Sequence, residues 1–279
     1  MRPKITIKEA ALKRRSSDCD NYATSRIFVQ RGAALNLSNK NKNFQKKIDS
    51  KLIILSLGGS IIFPEEIDVV FLKQFKALIL KLLKQGYEFI IICGGGKICR
   101  KYQAASKELN QHLASFDLDW MGIEVTKMNA YFMRTVFKEH AHPKILVDPT
   151  KRLDSSLNIK NAIIFGAGWK PGCSTDMAAV LAAKTYGAKT ILNMSNIEYI
   201  YNKDPNKFSD AKKIEKMTWP EFKKMFGETF EPGGNYPFDP VAGKNAATAG
   251  QRVIILDGRD ISNLKDCIEG RKFNGSVIG

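Results

Sequence analysis

From residue 51 onward, short runs of β-branched and other apolar residues alternate with longer segments whose apolar positions recur at helical spacing. That alternation is the pattern of a mainly parallel sheet covered by helices. Leu52 to Leu57 reads as the first strand. Residues 67–85 then set Val70, Phe71, Phe75, Leu78, Ile79, Leu82 and Leu83 on one helical face, closed by Gly86. Residues 89–93 follow as a buried strand, a helix runs through Arg100, Tyr102 and Leu109, and residues 125–140 form another. Short strands are expected at 145–147 and 162–165, and an alanine-rich helix runs from Ser174-Thr175-Asp176 to Gly187. Beyond it the pattern predicts a strand at 190–194, helices near 220–226 and 241–249, a strand at 253–256, and a closing helix and strand to Gly279. No tandem repeat or clean linker interrupts residues 51–279, which read as one α/β unit with two lobes within it left open.

Residues 1–50 lack any sustained period. Arg14-Arg15-Ser16-Ser17 and a polar stretch at 39–43 surround isolated apolar patches, so this segment reads as a mobile basic tail. Charge gives the division a meaning. The chain of 279 residues has 44 basic and 28 acidic side chains, a formal +16, which by itself suggests an anionic partner. The tail, with 12 basic and 4 acidic residues, holds half of that excess. A nucleic-acid-binding arm or a transit peptide is its functional reading, although Glu9, Asp18 and Asp20 weaken the latter and no aromatic interleaving marks an RNA reader. Five cysteines without CxxC spacing or neighbouring histidines indicate neither a disulfide framework nor a zinc site, and a reducing cytoplasm is the expected compartment. No apolar run reaches the roughly 18 to 20 residues of a membrane span.

Candidate chemistry sits at three glycine clusters, each at a predicted strand C-terminus: Gly58-Gly59-Ser60, Gly94-Gly95-Gly96, and the stretch from Gly166 through Gly168 to Gly172. At that edge of an open α/β sheet, residues without Cβ let backbone N–H groups approach a phosphate while the next helix N-terminus adds positive potential. Any one pair is explained as well by a tight turn; three beside Lys, Arg, Ser or Thr point to phosphorylated ligands. Neither GxGxxG nor GxxxxGK[ST] occurs. Lys97 and Arg100 fall on the first turn of the helix after the triple glycine, where Lys97 reads equally well as a surface lysine. Ser174-Thr175-Asp176 offers hydroxyls and a carboxylate at a helix start, with a plain cap as the rival reading.

The ordered segments LGGSIIFPEEID, CGGGKICRKY, DWMGIEVTKMNA, KPGCSTDMAAVLAA, NIEYIYNKDPNKFSDAKKIEKMTWPEF, FDPVAGKNAATAG and NGSVIG resemble the amino acid kinase superfamily and, within it, the uridylate (UMP) kinases of the archaeal-like branch. The resemblance covers residues 51–279. It implies a three-layer αβα sandwich with a mainly parallel central sheet, UMP toward the N-terminal part and ATP toward the C-terminal part. It also implies transfer of the ATP γ-phosphoryl group to UMP with Mg²⁺, and a homohexamer built from dimers. By position, Ser56, Gly58, Gly59 and Ser60 would lie along the ATP phosphates, and Ser195, Asn196, Tyr201 and Asp204 would hold ATP. Gly95, Asp119, Gly168, Gly172, Ser174 and Thr175 would hold UMP, with Gly96 and Arg100 at the transferred group. Lys244 would be the main catalytic cation, with Lys97 second and Asp176 organising; no residue is assigned as a metal ligand.

Two departures from the family pattern stand out. Ser56 occupies the position where many superfamily members have a lysine; the archaeal-like branch also lacks that lysine, so the departure fits the subgroup and argues against acetylglutamate or glutamate kinase activity. Glu198-Tyr199 replaces a common Asp-Gly, so altered backbone geometry is expected at that turn. Competing readings are a superfamily kinase for carbamate or isopentenyl phosphate, and a nucleotide-sensing regulator with a nucleic-acid-binding tail.

Overall fold

The computed structural model describes residues 50–153, 162–229 and 236–279; the tail expected at 1–50 falls outside these apart from Ser50. A seven-stranded sheet forms the centre. Its strands are β1 (Leu52–Leu57), β2 (Glu88–Cys93), β3 (Ile164–Gly166), β4 (Thr190–Ser195), β7 (Lys216–Met217), β8 (Arg252–Asp257) and β9 (Ser276–Ile278), in the order β3-β2-β1-β4-β8-β9-β7. All neighbours pair in parallel except β8 and β9. A separate antiparallel pair joins β5 (Ile200–Tyr201) to β6 (Lys213–Ile214). The helices are α1 (Gly59–Ile62), α2 (Val69–Lys84), α3 (Gly96–Leu109), α4 (Ser115–Phe137), α5 (Thr175–Tyr186), α6 (Trp219–Phe226), α7 (Pro240–Thr248) and α8 (Ile261–Ile268), with a 3₁₀ turn at Lys138–His140.

Strand side chains alternate between two buried cores, as a pleated strand covered on both faces must. Ile53, Leu55 and Leu57 of β1 join Phe89, Ile91 and Cys93 of β2 beneath α2, α4 and α8. Ile54, Ile90, Ile92, Ile191, Val253 and Ile255 face the other way against α5, α6 and α7. The expected αβα sandwich is therefore observed. Close packing explains the composition of α5: Ala178, Ala179, Ala182 and Ala183 are fully buried, and larger side chains there would hold the helix off the sheet.

Some expectations fail locally. The helix expected at 125–140 starts ten residues earlier, at Ser115, and ends at Phe137. Phe116 and Trp120 in its first turns are exposed, so no buried face announced those turns. Residues 145–147 form no strand: Leu146 makes a single bridge to Gly166, between Pro143 and Pro149. Cys93, Cys99 and Cys267 are buried free thiols. Among the described residues no helix is long and apolar enough to cross a membrane.

Candidate active site

Parallel pairing brings the C-terminal ends of β1, β2, β3 and β4 to one edge, and the first two glycine loops meet there. Most of the longer helices are capped by a side chain: Asp68 for α2, Ser174 for α5, Thr218 for α6, Asp239 for α7 and Asp260 for α8. Helices α1, α3 and α4 have no side-chain cap; the first two start at Gly58 and Gly95 on the glycine loops, which leaves their first N–H groups available to an anion there. The two loops cross in backbone contact. A Cβ on Gly59 would lie under 3.0 Å from the backbone of Gly94, Gly95 and Gly96, and one on Gly96, whose φ is +68°, would meet Gly59 and Ser60. Arg100 bridges the same two helices, its Nη2 donating to Ser60 Oγ at 3.2 Å. Gly58, Gly59, Ser60, Gly95, Gly96 and Arg100 thus form one cluster.

A second cluster joins β1, α5 and α7. Ser56, buried in β1, donates from Oγ to Asp176 Oδ1 at 3.2 Å, and the N–H of Asp239 donates to Asp176 Oδ2 at 3.1 Å. Asp239 Oδ1 accepts from the N–H of Val241 at 2.8 Å and of Ala242 at 3.3 Å, while Oδ2 accepts from the Ser174 hydroxyl. Ser174 in turn accepts from Met177 N, so one hydroxyl caps α5 and binds the cap of α7. Removal from water and the negative Asp239 push the Asp176 carboxyl up to about 7. Thr175 opens α5 beside this pair.

The third glycine stretch is tied to α4. Asp119 Oδ2 accepts from Gly172 N at 3.0 Å, and the N–H of Gly168 donates to Thr126 Oγ1 at 2.8 Å. Asp119 and Gly172 are therefore in contact, while Gly168 is held about two turns further along the same helix, at Thr126. Gly172 has φ +81°, a conformation that suits glycine at that turn.

At the far side of β4, Ser195 Oγ lies 3.4 Å from Asn196 Oδ1. Tyr201 belongs to β5, and Asp204 accepts from Asn206 N at 2.9 Å with Lys207 4.0 Å away. The turn at Glu198-Tyr199 is not left-handed, since Lys138 is the one described non-glycine residue with positive φ. Tyr199 is buried, its hydroxyl 3.2 Å from Asn274 Oδ1, so the side chain anchors the turn. Lys97 pairs with Glu65, which also attracts Lys101 at 3.7 Å. Lys244 is exposed on α7 and no carboxylate among the described residues pairs with it. That difference separates two lysines that read alike in the sequence.

Three polar groups here escaped sequence reasoning. Asp239 was signalled by an aspartate before a proline at a helix start, a capping pattern. Thr126 and Asn129 are buried polar residues one turn apart on α4, legible only once that helix face is known to be covered.

Comparison with known proteins accords with this geometry. Residues 51–257 match the model of the amino acid kinase family. Uridylate kinase of Pyrococcus abyssi is 30% identical over 227 residues, covering 81% of this chain and 98% of the relative. That of Thermococcus onnurineus is 31% identical over 228 residues with the same coverage. The crystal structure of uridylate kinase from Archaeoglobus fulgidus superposes with a TM-score of 0.68 at 25% identity, over 81% of this chain and 99% of that one. With its uncapped glycine-loop helices on a sheet of this order, the chain belongs to the amino acid kinase family.

Proposed function

We propose that this protein is a uridylate kinase that transfers the γ-phosphoryl group of ATP to UMP, yielding UDP and ADP, in pyrimidine nucleotide synthesis. The observation that carries the acceptor is the match along 98% of the Pyrococcus abyssi enzyme, which extends over the Asp119 and Gly168 to Thr175 region as well as the nucleoside triphosphate half. A phosphate oxygen of UMP attacks the γ-phosphorus as the bond to the ADP oxygen breaks. That nucleophile is already ionised, so alignment and charge neutralisation matter more than a general base.

In this reading the acceptor phosphate lies at the open N-terminus of α3, near Gly95 and Gly96, and Asp119 takes the ribose. Gly168, Gly172, Ser174 and Thr175 complete the acceptor side. Gly58, Gly59 and Ser60 follow the ATP phosphates, with Ser195, Asn196, Tyr201 and Asp204 around the rest of ATP. Arg100, already held toward Ser60, spans donor and acceptor loops. Lys244 supplies the mobile cation, because the Lys97 ammonium is engaged by Glu65.

The donor set also fits Mg²⁺. The Asp176 carboxyl faces Asp239, and a cation beside it would relieve that repulsion. Magnesium usually binds through one or two carboxylates plus substrate phosphates, and when bound it neutralises charge on the transferring group. Asp176 would hold it.

We further propose a cytoplasmic homohexamer assembled from dimers. The exposed Phe116, Trp120, Met128 and Tyr131 along α4 support self-association. A coupled assay of ADP release with UMP, CMP, AMP, carbamate and isopentenyl phosphate tests the activity. UMP is expected to give the highest turnover; equal or faster reaction with a non-nucleotide acceptor overturns the reading. Loss of salt-sensitive RNA or DNA binding on removal of residues 1–48, with kinase activity intact, would give the tail a role of its own.

A further inference from the structure

Helix α4 does more than cover the sheet, because its buried polar residues hold the backbones of both acceptor-side glycine loops. Asn129, 8% exposed, donates from Nδ2 to the carbonyl of Gly94 at 2.7 Å and lies 3.5 Å from that of Gly95. Thr126, 5% exposed and one turn earlier, donates its hydroxyl to Ile123 O at 2.6 Å and accepts from Gly168 N at 2.8 Å. Its methyl group faces the other loop: a Cβ built on Gly95 would come within 3.7 Å of Thr126 Cγ2. One side chain therefore binds the loop after β3 through oxygen and turns carbon toward the side of Gly95 that has no Cβ. Such buried polar groups are costly unless paired, and here every partner is a main-chain atom of a glycine loop or of α4 itself.

Orientation of a peptide plane follows from what its carbonyl is bonded to. With the Gly94 and Gly95 carbonyls drawn toward Asn129, the planes that begin α3 are fixed, and so is the direction of its uncapped N–H groups. Thr126 sets the spacing between that helix start and Gly168.

We infer that Thr126 and Asn129 are positioning residues for the acceptor nucleotide, acting through Gly94, Gly95 and Gly168 without touching the donor side. This rests on the reading above that the acceptor phosphate lies between these loops. Displacing well-aligned donors by a fraction of an ångström is enough to cost binding and alignment.

Thr126→Val and Thr126→Ser separate the hydroxyl from the methyl group, since valine keeps the methyl group and loses the hydroxyl, whereas serine does the reverse. Steady-state kinetics with each nucleotide varied should show Thr126→Val raising KM for UMP by about tenfold or more, because the buried Gly168 N–H loses its acceptor. KM for ATP should stay within about twofold, and Thr126→Ser should recover most of the UMP affinity. Asn129→Ala should also raise KM for UMP, with a smaller rise for ATP because Gly94 backs onto Gly59, and provides an independent measurement if the valine variant fails to fold, as judged by circular dichroism. Equal changes in both KM values, no change in either, or a serine variant as impaired as the valine one would overturn the inference. Wild-type enzyme that ignores UMP but uses another nucleoside monophosphate would instead refute the acceptor assignment, and the same variants tested with that nucleotide would still decide the positioning role.

Discussion

The main-chain N–H of Asp239 donates to Asp176 Oδ2 at 3.1 Å, while the Asp239 carboxylate receives the Ser174 hydroxyl and caps α7. Two helix starts on the same face of the sheet, α5 and α7, are thereby locked to one another. Lys244 lies on the second of these helices and Asp176 on the first, so the spacing of cation and carboxylate is set by this junction.

Asp239→Asn keeps the cap geometry but weakens the acceptor for Ser174 and removes a negative charge beside Asp176. The Asp176 pKa should then fall below about 7, since Asp239 is one of the causes that raise it. Asp239→Ala loses the cap as well and should cost about 1 kcal/mol or more of stability by denaturant titration. An alanine variant as stable as the parent would refute the junction.

Stability should depend on pH through Asp176. Between its unfolded value of 3.8 and about 7 the folded chain keeps a proton that the unfolded chain has released. Unfolding free energy of the ligand-free protein therefore falls as pH rises through that window and levels above it. Asp176→Asn should remove this part of the slope, leaving the rest. If ionised Asp176 is needed for turnover, kcat/KM rises with pH to a plateau above about 7 in the wild type.

Lys244→Ala is expected to lower kcat by about a hundredfold with little change in either KM, the signature of a cation used on the transferring group. Lys97→Ala should cost less than about threefold, because exposed pairs such as Lys97 with Glu65 contribute little. A reversed order would exchange the two assignments.

Much of this was legible before any coordinates. The alternation in β1, β2, β4 and β8 predicted buried parallel strands, and glycines at strand ends located the loops that converge. The sequence could not reveal why Gly59 and Gly96 are glycines. The reading offered approach to phosphate, whereas the immediate reason is that two backbones cross there, a long-range contact invisible to local pattern. Nor could it tell Lys97 from Lys244, because the partner Glu65 lies 32 residues away. The early turns of α4 were missed because their large apolar residues face outward, opposite to the rule that locates amphipathic helices.

Replacing Gly59 by alanine tests the crossing directly. Its Cβ would meet backbone atoms of the facing loop, which cannot swing aside as a side chain can, so a loss of about 1–3 kcal/mol or more is expected together with near-complete loss of activity. Gly122→Ala is the control: its nearest neighbours are the Gln103 side chain at 3.3 Å and Cys99 Sγ at 3.5 Å, and helix propensity favours alanine there. A Gly59 variant as stable as the Gly122 one would mean that the loops do not touch in solution.

The outward face of α4 carries the last prediction. Phe116 and Trp120 pack edge to face with ring centroids 6.1 Å apart, and Met128 and Tyr131 extend the same exposed side over roughly 22 Å of helix. Four large apolar residues in water on one helix are costly unless covered, and a second copy of the helix across a two-fold axis would cover them with an identical stripe. Light scattering should give a mass at least twice the 31.2 kDa of one chain. Trp120→Glu, an exposed position on this stripe, should shift that mass downward while leaving the far-ultraviolet spectrum unchanged. A wild-type chain that sediments as a monomer would remove the need for a partner and leave the stripe without an explanation in self-association.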